Sequence, residues 1–266
     1  KQKTAYEMLR SLVGSEMCIR DSIRTAIQSL GLSDISEFVP EKKIIEYLIE
    51  TPQGALKDMT LSNFCDELSR SSPAPGGGSV AALCGALSAS LSSMVANLTF
   101  SKKGYENLAD KMNLLAIDAQ KLKDVFISFI DRDTAVFNNV MSAMKMSKKT
   151  DKEKKARNEA LQEALKKAAE VPLEVLAGTV DALHLARTAI EGNKNSLSDA
   201  GVAVATALAA AKSAFYNVMI NLEGIEDENI KTALSEKAYG LMKEAGTLAG
   251  ELENKIDGML NIKMPV

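Results

Sequence analysis

No tryptophan, a single histidine and only six prolines occur in the 266 residues, and the three cysteines (Cys18, Cys65 and Cys84) stand far apart with no CxxC pair. With neither CxxC nor HExxH, zinc-finger and zincin chemistry are excluded, and no metal is expected. A sparse, odd cysteine set without a secretory leader reads as cytoplasmic. Charge of one sign is also missing: 32 Lys+Arg stand against 35 Asp+Glu, a net charge of −3. A nucleic-acid partner would need a dense basic face, so none is expected. No stretch alternates apolar and polar residues for long enough to make a sheet. What remains is Ala, Leu, Lys, Glu and Met in abundance, which favours helices.

The organisation along the chain is uneven. The chain starts at Lys1 and reads as a fragment. Residues 1–21 match no pattern downstream and resemble a translated adapter, an extraneous segment. Residues 22–50 hold two short helical pieces, and residues 51–58, with Pro52 and Gly54, read as a linker. Residues 59–266 form the main domain, opening with a short helix N-capped by Thr60 or Ser62. After the break SSPAPGGGS, five long helices are expected near 79–99, 105–146, 152–191, 196–222 and 227–260. The first is nearly uncharged and rich in Gly, Ala and Ser. Its serines make it a poor membrane span, so it reads as the buried central helix, and no membrane partner is expected. Pro172 should kink or break the third. The expected fold is an all-α bundle.

Three features carry candidate chemistry. Leu108, Met112, Leu115, Ala119, Leu122, Phe126, Phe129, Asp133, Val136 and Val140 follow unbroken 4-3 spacing, so Asp133 occupies an apolar seam. A carboxyl there is paired, hydrogen-bonded or kept neutral. It is either a buried structural polar group or an acid–base group. Second, Pro75, Gly76, Gly77, Gly78 and Ser79 lead into the central helix. They either present backbone amides to a ligand or make a tight turn between packed helices. Third, Asp199, Thr206, Ser213, Asn217 and Asn221 run along the fourth helix, as a pocket lining or as groups bonding their own backbone. Lys102 and Lys103 end the first long helix, suited to its dipole or to an acidic substrate tail. His184, within DALHLA, reads as a packed core residue.

The blocks FCDELSRSSPAPGGGSVAALCGALSASLSSMVANLT, IDRDTAVF, LQEALKKAAEVPLEV, NSLSDAGVA and AFYNVMINL, in this order, resemble the formimidoyltetrahydrofolate cyclodeaminase family, which includes methenyltetrahydrofolate cyclohydrolases. Residues 22–50 resemble the C-terminal tail of a glutamate formimidoyltransferase, so the chain looks like the later part of a bifunctional protein without transferase activity. The resemblance implies conversion of 5-formimidoyltetrahydrofolate to 5,10-methenyltetrahydrofolate and ammonia, in histidine degradation. It places the family's catalytic aspartate on Asp133. It implies a folate substrate, with or without polyglutamate, no cofactor, and a homo-oligomer, here a dimer. By position, Pro75 to Ser79 would shape the pocket, Asp199 and Asn217 would bond the pterin, and Lys102 and Lys103 would meet glutamates. The alternatives are a cyclohydrolase or a non-catalytic helical subunit that binds folate or mediates assembly.

Overall fold

Helix boundaries follow the local chemistry of the chain. In the computed structural model, which describes residues 25–33, 38, 56–71 and 74–262, the chain divides into two compact units, residues 1–74 and 75–266. The segment 1–21, most of 22–50 and residues 51–55 of the expected linker lie outside the described residues. In the first unit, α1 (Leu61–Leu68) starts at Thr60, whose hydroxyl accepts the Asn63 backbone N–H at 3.2 Å.

The second unit is built from α2 (Gly77–Phe100), α3 (Ala109–Met144), α4 (Asp151–Ala189), α5 (Leu197–Leu222) and α6 (Glu228–Leu260). The described residues contain no strand, so the expected all-α bundle of five long helices is what the chain forms. The charged residues 148–159 include the first turns of α4, which opens on a capping box in which Thr150 and Glu153 bond each other's backbone N–H groups. Asp227 caps α6 through the N–H groups of Asn229 and Ile230.

Helix α2 packs against α3, α4 and α5, while α6 lies against α4 and α5. Its small side chains make that central place possible: of its buried residues only Val95 and Thr99 are larger than serine. Phe126 of α3 fills the space this leaves. A Cβ on Gly85 of α2 would come within 2.5 Å of its ring, and one on Gly178 of α4 within 3.1 Å. Helices α2 and α5 run antiparallel, since Gly77 meets Asn217, the Ser88 hydroxyl donates to Ala203 O, and Thr99 accepts the Asn193 backbone N–H. Two helical stretches among the described residues, Gly77–Phe100 and Lys194–Leu222, are long and apolar enough to cross a membrane. Both pack within the bundle.

Of the expected kink or break at Pro172, the break does not occur: α4 runs unbroken for 39 residues. Proline at 172 cannot donate to the carbonyl four residues earlier, that of Ala168. The Asn221 side chain of α5 donates to Ala168 O at 2.8 Å and replaces the missing bond. Asn221→Ala is therefore expected to cost about 1–3 kcal/mol in denaturant unfolding, the range for a buried acceptor left unpaired. In a Pro172→Ala background, where residue 172 regains its N–H, the same change should cost clearly less. Equal losses in both backgrounds would show that Asn221 stabilises by another route.

Candidate active site

Asp133 is set in place by the periodicity of α3. Positions 126, 129, 130 and 140 of that helix are buried, and a residue seven after Phe126 returns to nearly the same angle on a helix of 3.6 residues per turn. Asp133 therefore points toward the N-terminus of α2 and is half-buried there. The Ser79 hydroxyl lies 3.1 Å from Asp133 Oδ2 and 3.0 Å from the Ile130 carbonyl oxygen. The Ser79 backbone N–H also donates to the carboxyl. No side chain of α2's own segment caps that helix, whose N-cap is Gly76, so the cap arrives from α3.

The glycines before α2 exist for close approach rather than for an unusual turn. Gly76 has extended backbone with φ −136° and ψ −157°. A Cβ on Gly78 would lie 2.0 Å from Asp133 Oδ1, and one on Gly77 would lie 3.0 Å from Asn217 Nδ2. Pro75 is buried beside them. The segment from Pro75 to Ser79 thus meets Asp133 of α3 and Asn217 of α5 at one end of the bundle.

Burial pushes the Asp133 carboxyl up from the ordinary aspartate value. The hydrogen bonds from the Ser79 hydroxyl and backbone N–H pull it down without cancelling that rise. A carboxyl tuned upward, beside the first turn of a helix where Gly77 is exposed, is suited to accept and return a proton while the helix amides face an electron-rich group. Among the described residues no three His, Cys, Asp or Glu side chains converge as metal ligands.

The remaining candidates are not in this cluster. Lys102 and Lys103 lie beyond the opposite end of α2, roughly 36 Å away at 1.5 Å per residue over its 24 residues, and Asp199 is in the first turn of α5 toward that same end. There the Lys102 ammonium donates to Asn193 Oδ1 and sits 5.9 Å from the centre of the Tyr105 ring. Asp199 and Asn217, on one helix and roughly 27 Å apart by the same rise, cannot grip one pterin ring within a single subunit. The polar stripe of α5 mostly serves backbone. Thr206 donates to Val202 O, Asn217 to Ser213 O, and Asn221 to Asn217 O and across to Ala168 O. His184 is exposed rather than packed. Ala182, Leu183 and Ala186 take the buried face of α4, leaving His184 on the rim of a groove of about 380 Å³ with Arg187, Lys243 and Glu251. The sequence reading did not single out Thr134 or Ile130, which flank the carboxyl. Their one visible signal was their place in the IDRDT block.

The family model for formiminotransferase-cyclodeaminase matches residues 60–240, which include every helix that builds this site. The chain belongs to that family. Within it, the chain is 37% identical over 231 residues to the formimidoyltransferase-cyclodeaminase of Rattus norvegicus, covering 85% of this chain but 42% of that protein. It therefore spans about two-fifths of the length of that bifunctional relative. It is 38% identical over 203 residues to a methenyltetrahydrofolate cyclohydrolase of Methylorubrum extorquens, covering 76% of this chain and 98% of that protein. The crystal structure of a formiminotetrahydrofolate cyclodeaminase from Thermotoga maritima superposes with a TM-score of 0.67 at 31% identity, over 77% of this chain and 98% of that one. The relatives that match this chain's helical domain are named both for cyclodeaminase and for cyclohydrolase activity.

Proposed function

We propose that this chain is a formimidoyltetrahydrofolate cyclodeaminase, releasing ammonia and 5,10-methenyltetrahydrofolate, and that it works in the cytoplasm in histidine degradation. The observation that carries this reading is one carboxyl, tuned upward by burial, at an otherwise uncapped helix N-terminus. The chemistry needs one proton-moving group. The folate N10 attacks the formimidoyl carbon and forms the new C–N bond as its own proton passes to Asp133. Asp133 then returns that proton to the former imine nitrogen, and the C–N bond to it breaks, releasing ammonia and leaving the methenyl cation. Atoms and charge balance when the substrate enters as the amidinium, with no redox or metal cofactor taking part. The pterin lies against the open side of this cluster, where Gly77 is exposed beside the Asn217 amide, while Gly78 gives its space to the Asp133 carboxyl.

The division into a transferase tail (22–50), linker (51–58) and cyclodeaminase domain (59–266) belongs to the same proposal. Lys102, Lys103 and Asp199 reach the substrate in it only from a second copy. The α2 stripe of Leu87, Met94 and Leu98 is exposed, apolar and free of charge. Covering it by a second α2 about a twofold axis would bring the far end of one subunit near the Asp133 end of the other. A homodimer follows. If so, an Asp133→Asn chain mixed and refolded with a Lys102→Ala/Asp199→Ala chain recovers turnover that neither has alone. No recovery from mixed dimers would remove the lysine and Asp199 from the site.

A second reading, methenyltetrahydrofolate cyclohydrolase, is favoured by the near-complete coverage of the Methylorubrum protein. The same carboxyl would take a proton from water attacking the methenyl carbon. The longer match to the bifunctional relative, 231 residues against 203, supports the deaminase. Ammonia release with growth of methenyl absorbance from 5-formimidoyltetrahydrofolate is the expected result. Consumption of methenyl-folate without ammonia would instead establish the hydrolase, and folate binding without either reaction would identify a non-catalytic subunit.

A further inference from the structure

A helix-interior threonine commonly returns its hydroxyl to the carbonyl three or four residues back. Thr99 and Thr188 donate four back to Val95 O and His184 O, Thr179 donates three back to Leu176 O, and Thr206 reaches both Val202 O and Ala203 O, so each of the four is paired within its own helix. Thr134 is not. Its Oγ1 is buried and has no hydrogen-bond partner among the described residues. The carbonyl four residues back is that of Ile130, and the Ser79 hydroxyl of α2 already lies 3.0 Å from it.

Ser79 has a second claim on its single hydroxyl proton, because Asp133 Oδ2 is 3.1 Å from the same oxygen. A carbonyl only accepts. With Asp133 protonated, the chain is complete: Asp133 donates to Ser79, and Ser79 donates to Ile130 O. Once Asp133 is ionised, Ser79 must turn its proton to the carboxylate, and the Ile130 carbonyl loses that donor. Thr134, one turn along and idle, can then rotate onto it.

We propose that Thr134 is a positioning residue for Asp133, its hydroxyl and that of Ser79 alternating on the Ile130 carbonyl as Asp133 regains and loses its proton. All hydroxyls are then paired only in the ionised form, so Thr134 favours the state that accepts the N10 proton. Among the described residues no ion pair is made to this carboxyl; on α3 itself Asp131 stands two positions before it, roughly 200° around the helix. Helix α2 carries no charged side chain, and on α4 Glu170 pairs with Lys166 and Glu174 with Arg132 of α3. After Asp199, α5 has Lys212 alone, which is exposed.

The relevance to catalysis rests on the acid–base reading of Asp133, so the test measures the carboxyl itself as well as turnover. In protein labelled with ¹³C at aspartate carboxyls, with the Asp133 signal assigned by its loss in Asp133→Asn, Thr134→Val should raise the Asp133 midpoint. The expected rise is about half to one pH unit, the worth of one net hydrogen bond. The acid limb of the kcat profile should move up equally, while Thr134→Ser, which keeps the hydroxyl, titrates as wild type. Thermal unfolding is expected to be unchanged in both variants. An unmoved midpoint in Thr134→Val, or a shift in Thr134→Ser equal to that in Thr134→Val, would overturn the proposal. A moved midpoint with an unmoved kcat profile would uphold the hydroxyl exchange and refute the acid–base reading instead.

Discussion

Asp133→Asn is expected to lower kcat by about 10²- to 10⁴-fold, the usual worth of one general acid–base group, with folding intact. The amide can still accept the Ser79 hydroxyl and backbone N–H, so the cap on α2 survives while the proton carrier is lost. Stability should move the other way. A carboxyl whose folded value is raised binds its proton more tightly in the folded state. It therefore favours folding at low pH, and that advantage is lost as pH rises from the reference value of 3.8 through its folded value. Above that window the wild type holds a half-buried negative charge, and the neutral amide does not. Asp133→Asn should thus melt no lower than wild type at pH 7, with its relative advantage shrinking below about pH 4. A clear loss of melting temperature at pH 7 would mean that ionised Asp133 is primarily a structural cap. Turnover near the wild-type rate would remove it from the chemistry.

Gly78→Ala carries the second large effect, for a steric reason. The new Cβ would stand 2.0 Å from Asp133 Oδ1 and 2.4 Å from its Cγ, separations that no real pair of atoms holds. Either the first turn of α2 or the Asp133 side chain must shift by about an ångström, enough to cost on the order of 10²-fold in kcat. The overpacking should also cost about 1–3 kcal/mol of stability. In an Asp133→Ala background the clashing atoms are gone, so the stability loss should disappear there. If it persists, the glycine is needed by the α2 backbone and not by the carboxyl. Gly77→Ala meets only the end of the Asn217 side chain, at 3.0 Å, and should be milder.

Two sequence patterns point to this candidate site by independent routes, and both are local. The 4-3 spacing on α3 depends only on the helix repeat, so Asp133 stood out as a carboxyl among Leu and Phe positions before any partner was known. The run of three glycines likewise announced a place where backbone must be approached closely, though not what approaches it. Of the two N-cap candidates for α1, Thr60 and Ser62, the structure uses Thr60, and such a cap is readable because it bonds within its own first turn. Pro172 shows where such reasoning stops. Locally it predicts a kink or a break, and the donor that lets the helix continue comes from Asn221, 49 positions away on another helix.

The amino-acid sequence by itself determined the helices, the apolar face of each, the small-residue character of the central one and the anomaly of Asp133. These follow from side-chain chemistry over a turn or two of chain. Only the tertiary structure decided that Asp133 caps α2 from α3, that Ser79 is shared between it and the Ile130 carbonyl, and that Thr134 is left without its usual partner. It also decided that Lys102 and Asp199 stand at the far end of the bundle, and that His184 faces outward. Periodicity states which face of a helix is buried. Which helix that face meets, and at what height, depends on how side chains such as Phe126 fit the glycine gaps of their neighbours.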